Sequence, residues 1–252
     1  MTSLLSTWRR IYRQSKKPQD IAWNTYVARP LAAVLVWMLR PTSLTPNQVT
    51  FLGTAIFALA GLAFVFLPGA PGFLIAALLV QLSYLLDCVD GQLARLKNMT
   101  SDVGAYLDFL MDEIKALILV TAVTCRLWLI EGDPLWLLVA TGAVFAVAIA
   151  TSLTHFIRRP EYAGETIKPG ASARRPPMPS GLIPRAAWLF KATARYIIHY
   201  PSWIIWVALA GFISPVDPGL LFIVPFLGVY LLYLVQTGAA ITLRLGHPRF
   251  YD

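Results

Sequence analysis

Apolar runs of about 20 residues recur along this chain and constrain its fold more than any other feature, because a run of that length can cross the roughly 30 Å hydrocarbon core of a bilayer as a helix. Hydrophobic side chains make up 57% of the chain and charged side chains only 13%. Soluble domains carry about 25% charged residues, so these proportions exclude a soluble globular domain. We therefore predict an all-α, polytopic membrane protein.

Windows of about 19 residues predict a bundle of six membrane-spanning helices, joined mostly by short turns rich in Pro and Gly. The predicted spans cover residues 47–67, 72–95, 103–130, 135–157, 193–213 and 219–243. Pro201 lies inside the fifth span, so we expect a kinked helix there. Residues 158–185 hold six prolines, and they predict a semi-extended linker before that span.

The residues before the first span combine basic side chains with a short apolar stretch. The apolar run 31–39 is too short to cross a bilayer, so residues 8–40 predict an N-terminal interfacial amphipathic helix. No cleavable signal-peptide pattern opens the chain, and we expect the N-terminus to be retained. The predicted organisation is a cytoplasmic segment 1–46, a six-helix domain 47–243 and a cytoplasmic tail 244–252.

The distribution of positive charge predicts how the chain lies across the cell membrane. Of the 21 Lys and Arg residues, seven precede the first span, two lie at 95–97, eight at 158–195 and two after 243, whereas the three opposite turns have none. By the positive-inside rule both termini and the 2–3 and 4–5 connections are cytoplasmic. Lys115 and Arg126 lie within the third span, and we expect Arg126 to snorkel towards the far membrane surface.

Four aspartates inside the predicted spans carry the strongest functional signal, because acidic residues at membrane depth are costly. Asp87 and Asp90 are three apart near the end of the second span, and Asp108 and Asp112 are four apart near the start of the third. Each spacing brings both carboxylates to one helical face, and the short connection makes the two helices antiparallel neighbours. Oxygen ligands favour Mg²⁺ or Mn²⁺, and two ions would balance the charge and suit displacement at phosphorus.

Other interpretations of the aspartates stay open at this point. They could pair with Lys115, Arg95 and Lys97 in a structural network, and we expect at least Lys115 to form an ion pair with them. They could instead line the ion or proton pathway of a transporter or channel. A transporter should show an inverted repeat or a pair of broken helices, and neither is evident in the sequence.

The residues between the aspartates resemble the signature of a known family. Residues 87–112 read DCVDGQLARLKNMTSDVGAYLDFLMD, which has the form Asp-x2-Asp-Gly-x2-Ala-Arg-x8-Gly-x3-Asp-x3-Asp. The eight fixed residues at this spacing resemble the CDP-alcohol phosphotransferase family, class I, also called CDP-alcohol phosphatidyltransferases. The stretch LTPNQVT at 44–50 also looks like this family. The resemblance extends over roughly residues 20–243.

The resemblance implies an integral-membrane transferase of phospholipid biosynthesis. Such an enzyme moves a substituted phosphate from a CDP-linked lipid donor, such as CDP-diacylglycerol, to an acceptor alcohol and releases CMP. By the same resemblance, Asp87 and Asp108 bridge two Mg²⁺ or Mn²⁺ ions and Asp90 completes one ion site. Asp112 would bind the other ion and act as the general base. Expected partners are the lipid bilayer, the donor, a small polar alcohol and, as a further option, a second copy in a homodimer; nucleic acid is not expected.

The resemblance also implies where the substrates bind. The nucleotide part of the donor would contact small or polar residues, namely Asn47, Thr50, Gly91, Ala94, Arg95 and Ser101. The details of the motif look closest to the branch that uses inositol phosphate. Arg158 and Arg195 flank the fourth and fifth spans, and two interpretations stay open: they follow the positive-inside rule and touch lipid headgroups, or they bind a phosphorylated acceptor. His155 and His199 are expected to be ordinary boundary residues.

Overall fold

A computed structural model describes residues 4–15, 21–164 and 178–246, and the regular elements within these ranges are helices. This confirms the predicted all-helical class. The tail after 246 and much of the predicted linker lie outside the described residues. The elements in chain order are α1 Leu4–Ser15, a π-helix Asn24–Ala28, α2 Arg29–Leu39, α3 Pro46–Phe66, α4 Gly69–Leu96, α5 Asp102–Glu131, α6 Leu135–Arg158, α7 Pro160–Ala163, α8 Leu182–Ile198, a 3₁₀ turn Tyr200–Ser202, α9 Ile204–Ala210 and α10 Pro218–Leu245.

Within the described residues, four helices are long and apolar enough to cross a membrane: α3, α4, α6 and α10. They correspond to the first, second, fourth and sixth predicted spans. Helix α5 has 30 residues but contains too many charged side chains to count as an apolar span. Even its last 18 residues include Lys115, Arg126 and Glu131. A multi-pass membrane protein is supported, whereas the predicted count of six spans stays a prediction.

The fifth predicted span is divided at Pro201. Helix α8 ends before this proline and α9 begins after it, so the expected kink is a full break. Proline lacks the N–H that would continue the helix. The carbonyl of Ile197 accepts instead from the Trp203 indole N–H at 2.8 Å, and the carbonyl of Pro201 accepts from Gln81 Nε2 of α4 at 2.6 Å. Helix α4 therefore holds the break in place.

Local capping sets where the two helices of the motif region begin. Thr45 and Gln48 form a capping box at the start of α3, with Gln48 N donating to Thr45 Oγ1 at 3.3 Å and Thr45 N donating to Gln48 Oε1 at 2.9 Å. Ser101 caps α5, because its hydroxyl accepts from Gly104 N at 3.0 Å. Both caps lie at the end of the bundle that holds the α4–α5 connection, so they orient the motif residues.

Two apolar clusters hold the bundle together. The larger cluster packs α3, α4, α5, α9 and α10 against one another and includes Phe57, Phe64, Phe73, Leu119, Val123, Ile204, Phe222 and Phe226. The second cluster packs the N-terminal helices against α3 and α4 and includes Ile11, Ala32, Val36, Val49 and Val89. The predicted N-terminal helix is thus two helices, α1 and α2, which both pack on α4, and a π-helix directly precedes α2. Their location at the membrane interface stays a prediction.

The expectation that Arg126 snorkels is wrong. Arg126 is only 1% exposed, and its Nη2 lies 2.9 Å from Asp217 Oδ2, at the start of α10. The same guanidinium donates to the carbonyls of Phe64, Leu67 and Gly69 at 3.2, 2.7 and 2.9 Å. The end of α3 leaves the carbonyls of Phe64 and Leu67 without helical donors, and Asp217 supplies the opposite charge. Both needs are met by burying the guanidinium rather than extending it to the surface.

Candidate active site

A cavity of about 480 Å³ lies among α3, α4 and α5, close to the α4–α5 connection. Its wall includes every predicted site residue except Arg195. The lining residues among those predicted are Asn47, Thr50, Asp87, Asp90, Gly91, Ala94, Arg95, Ser101, Asp108, Asp112 and Arg158. Two antiparallel helices supply most of them, because residues three and four apart on α4 and on α5 lie on one helical face. The structure therefore brings the motif together in one place.

Three of the four aspartates form a close group. One carboxylate oxygen each from Asp87, Asp90 and Asp108 lies within 4.8 Å of the others. Asp90 is only 5% exposed, and its Oδ2 accepts from the hydroxyl of Thr50 on α3 at 2.6 Å. An all-oxygen set at this separation fits a hard divalent cation such as Mg²⁺ or Mn²⁺. These three residues could hold such an ion.

Asp112 lies outside that group and is joined to it by Lys115. The Lys115 ammonium is buried and lies 2.8 Å from Asp87 Oδ1 and 3.1 Å from Asp112 Oδ1. This confirms the ion pair expected for Lys115. Lys97 has a different role, because its Nζ donates to the carbonyls of Thr42 and Leu44 at 2.8 Å each. Four carboxylates and one ammonium carry a formal charge of −3, which still attracts divalent cations.

The predicted nucleotide-binding residues lie at the end of the cavity nearest the α4–α5 connection, at the starts of α3 and α5 and the end of α4. A Cβ on Gly91 would lie 3.5 Å from Arg95 Nη1, so the guanidinium lies along the face that the glycine leaves open. A Cβ on Gly104 would lie 3.2 Å from Ser101 Oγ and 3.6 Å from Asn47 Oδ1. The start of α3 and the start of α5 therefore approach closely at a glycine. This side of the cavity combines a basic fork with polar caps, a combination that suits an anionic ligand.

The two arginines considered for the acceptor lie in different environments. Arg158, at the end of α6, lines the cavity, with its guanidinium carbon 5.2 Å from the centroid of the Phe109 ring. Arg195 is exposed on α8, and its Nε donates to the carbonyl of Lys191 in the same helix at 3.3 Å. Only Arg158 of this pair is brought to the site.

The structure adds cavity residues that the sequence interpretation missed. Asn24, Arg29, Tyr84, Phe109 and His199 also line the cavity. His199 was expected to be a boundary residue, but its Nε2 lies 2.9 Å from the Tyr84 hydroxyl. The sequence feature that could have indicated this cavity position is Pro201, two residues after His199, because a helix that breaks at a proline can turn a nearby side chain inward. Arg29 was counted only among the positive charges that predict orientation.

The fold and the cavity together define a class: a helical membrane protein whose inward-facing acidic residues could bind a divalent cation beside an anionic ligand. The family called CDP-alcohol phosphatidyltransferase matches residues 43–214, which is more than half of the chain. The chain belongs to this family. The match confirms the resemblance read from the motif and supports a phosphotransferase enzyme.

Two curated relatives are similar over part of their length. The inner membrane protein YnjF of Escherichia coli is 36% identical over 140 residues, which cover 54% of this chain and 65% of the relative. The bifunctional IPC transferase and DIPP synthase of Thermococcus kodakarensis is 36% identical over 120 residues, which cover 45% of this chain and 24% of the relative. The chain thus spans less than two thirds of the length of each of these relatives.

Proposed function

We propose that this protein is an integral-membrane transferase that moves a substituted phosphate from a CDP-linked lipid donor, CDP-diacylglycerol, to an acceptor alcohol and releases CMP. The observation that carries the proposal is the complete motif lining one cavity, with three of its carboxylates within 4.8 Å of one another. Family membership supports the reaction class, and the IPC transferase relative is consistent with it. The lipid donor is inferred from the apolar helices around the cavity.

Residues at different positions of the cavity would have different roles in the reaction. Asp87, Asp90 and Asp108, with Asp112, would hold two Mg²⁺ or Mn²⁺ ions, which when bound would neutralise the donor pyrophosphate and make the phosphorus more electrophilic. Arg95 would orient the pyrophosphate on the nucleotide side. The oxygen of the acceptor hydroxyl forms a bond to the phosphorus that carries the lipid, and the bond from that phosphorus to the CMP oxygen breaks.

Asp112 is the proposed general base for the acceptor proton. Its side chain is 55% exposed, against 18% for Asp87, so an incoming hydroxyl can reach it. The hydrogen bond from Lys115 fixes one of its oxygens, which leaves the other oxygen to take the proton. A positioned carboxylate of this kind typically contributes about 10²–10⁴-fold to a rate.

The membrane arrangement is part of the same proposal. We infer that α5 and the broken α8–α9 segment complete six spans, and that the cavity, both termini and the 158–195 connection face the cytoplasm. The charge asymmetry supports this orientation. A cytoplasmic cavity would give a nucleotide-linked donor access to the aspartates. The proposed domain limits, 1–46, 47–243 and 244–252, and a homodimer stay predictions.

The deciding experiment is a transfer assay on the purified full chain in detergent. The assay contains Mg²⁺, radiolabelled CDP-diacylglycerol and a panel of alcohols that includes myo-inositol 1-phosphate, myo-inositol, glycerol 3-phosphate and glycerol. We expect CMP release that depends on one class of alcohol, ceases with EDTA and returns with Mg²⁺ or Mn²⁺. The absence of CMP release with every alcohol would contradict the proposal and favour an ion or proton pathway.

Arg158 gives a prediction about the acceptor. If its guanidinium binds an acceptor phosphate, Arg158→Ala should raise the KM for myo-inositol 1-phosphate about tenfold, the loss of one charge-assisted hydrogen bond. The KM for the donor should be unchanged. Arg195→Ala removes the same charge from an exposed site outside the cavity and is the matched control. Equal use of neutral and phosphorylated alcohols by the wild-type protein would contradict phosphate binding by Arg158.

A further inference from the structure

We propose that Asn24, Tyr84 and His199 form a polar subsite that binds the hydroxyl groups of the acceptor, so that the preferred acceptor is a polyol rather than a simple alcohol. The three residues come from the π-helix, from α4 and from the break before α9, and all three line the cavity of the aspartates. The inference rests on the proposed transferase function and specifies its acceptor class.

A continuous chain of hydrogen bonds joins these side chains. The Tyr84 hydroxyl donates to Asn24 Oδ1, and His199 Nε2 lies 2.9 Å from the Tyr84 oxygen. On the other side of the ring, His199 Nδ1 is hydrogen-bonded to the Ser202 hydroxyl. Since the single Tyr84 proton is directed at Asn24, the Tyr84 oxygen accepts from Nε2–H of His199.

The subsite lies on the opposite side of the aspartates from the nucleotide motif. Along the cavity face of α4, Tyr84 precedes Asp87 by three residues, whereas Gly91 and Arg95 follow it. Three residues along a helix correspond to about 4.5 Å, which a small alcohol can bridge. An attacking hydroxyl must approach phosphorus opposite the leaving group. If CMP lies along Gly91 and Arg95, the acceptor is expected at the Tyr84 end.

The chemistry of the subsite selects hydroxyl groups. An amide, a phenol and an imidazole each offer hydrogen bonds to hydroxyl groups, which can both donate and accept. The hydroxyls of a polyol can therefore replace bonds of the existing chain without leaving a buried polar atom unpaired. An analogue that lacks these hydroxyls leaves the chain as it is and gains no hydrogen bond from it, so it should bind more weakly than the polyol.

The three residues of the subsite come from separate segments of the chain. The family match begins at residue 43, so Asn24 comes from outside the matched region, whereas Tyr84 and His199 lie within it. Helix α4 holds both partner segments in register: buried Gln92 donates to the carbonyl of Arg29 at 3.0 Å, and Gln81 donates to the carbonyl of Pro201 at 2.6 Å. The cavity wall opposite the motif is thus built from anchored elements.

The test compares two phosphorylated acceptors that differ in the number of hydroxyls, myo-inositol 1-phosphate and ethylene glycol monophosphate. Steady-state KM values are measured for the wild type, Tyr84→Phe and His199→Gln. The Kd of myo-inositol 1-phosphate is measured separately by calorimetry with Mg²⁺ and CMP but without donor. Tyr196→Phe is the matched control, because its hydroxyl also bonds at the break, to the carbonyl of Ser202 at 3.1 Å, but does not line the cavity.

We expect both cavity variants to raise the KM and Kd for myo-inositol 1-phosphate about tenfold and to change the KM for ethylene glycol monophosphate less than about twofold. Tyr196→Phe should leave all three quantities unchanged. A purely structural network would affect both acceptors equally, which would overturn the subsite. A wild-type protein that does not bind myo-inositol 1-phosphate would also overturn the subsite. Binding without CMP release would contradict the proposed transfer and leave the subsite standing.

Discussion

At the scale of single residues, the site is a balance between four carboxylates and one buried ammonium. Asp87, Asp90 and Asp108 crowd together, and Lys115 draws Asp112 towards Asp87. Like charges at this separation repel unless cations intervene. Lys115 therefore compensates part of the charge before any ion binds, and it fixes the direction of the proposed base.

The first residue-scale prediction concerns Asp112. Asp112→Asn keeps the shape of the side chain but removes its ability to take a proton, so turnover should fall about 10²–10⁴-fold at saturating Mg²⁺. The Kd for CMP should stay within about twofold of the wild-type value, measured by calorimetry. Asp102→Asn, at an exposed position of the same helix outside the cavity, should leave turnover unchanged. Normal turnover of the Asp112 variant would show that another group is the base.

The second residue-scale prediction concerns Lys115. Lys115→Met leaves Asp87 and Asp112 without their shared cation, at a cost of about 1–3 kcal/mol in the absence of metal. The melting temperature should therefore drop in EDTA and recover on addition of Mg²⁺, and this recovery should exceed that of the wild type. Lys97→Met removes an ammonium that donates to the carbonyls of Thr42 and Leu44, so the change in melting temperature should be the same in EDTA and in Mg²⁺. Equal responses of the two variants to Mg²⁺ would contradict the charge-balance role.

At the scale of helices, polar contacts near the middle and at one end of the bundle determine how the helices meet. Near the middle of α4, Gln81 holds the break at Pro201, which turns His199 into the cavity. At the α3–α4 turn, Arg126 ties this turn to the start of α10 through Asp217. The long helices are themselves apolar, and packing of apolar surfaces alone specifies rotation and register weakly. These few directional contacts therefore decide which faces line the cavity.

The helix-scale prediction is that Arg126 is a major stabilising residue. Arg126→Met leaves the Asp217 carboxylate and the carbonyls of Phe64 and Leu67 without this donor, and removal of one partner of a buried ion pair typically costs about 3–5 kcal/mol. Unfolding of the purified protein in detergent should show this loss. Arg244→Met is the matched control, because Arg244 lies 4.4 Å from the Tyr162 ring in a cation–π contact worth about 0.5–2 kcal/mol. A loss no larger for Arg126→Met than for Arg244→Met would contradict the anchoring role.

At the scale of the whole molecule, positive charge separates the two ends of the bundle. The basic residues cluster at the termini and at the 95–97 and 158–195 connections, and the opposite turns lack them. The cavity lies at the 95–97 end, because it includes Arg95, Met99 and Ser101. The proposed orientation therefore exposes the aspartates to the cytoplasm and its nucleotide-linked donors.

The corresponding prediction is a labelling pattern on intact cells. Cys88 and Cys125 are first replaced by Ala, and single cysteines are then introduced as Asp133→Cys in the α5–α6 turn and Ser180→Cys before α8; both positions are exposed. A membrane-impermeant maleimide should label position 133 in intact cells and position 180 only after permeabilisation. The reverse pattern would separate the cavity from the cytoplasm and contradict the proposed orientation.

The sequence alone determined the helical membrane class, the limits of most long helices and the residues of the motif. Apolar length and short turns are local properties, so the predicted spans 47–67 and 135–157 differ from α3 and α6 by at most one residue at either end. The spacing of Asp87, Asp90, Asp108 and Asp112 is also local, since it uses only helical periodicity and one short connection. The grouping of the motif around one cavity could therefore be predicted.

Only the tertiary structure decided which distant residues meet at the cavity and which do not. Tyr84 contacts Asn24 across 60 positions and His199 across 115, and Arg126 reaches Asp217 across 91. No local pattern encodes such distances, because they depend on how whole helices rotate and pack. Arg158 and Arg195 look equivalent by charge and proximity to span ends, yet only Arg158 reaches the site. Hydrophobic periodicity determines that a helix is buried, whereas directional contacts between helices determine which side chains it presents to a substrate.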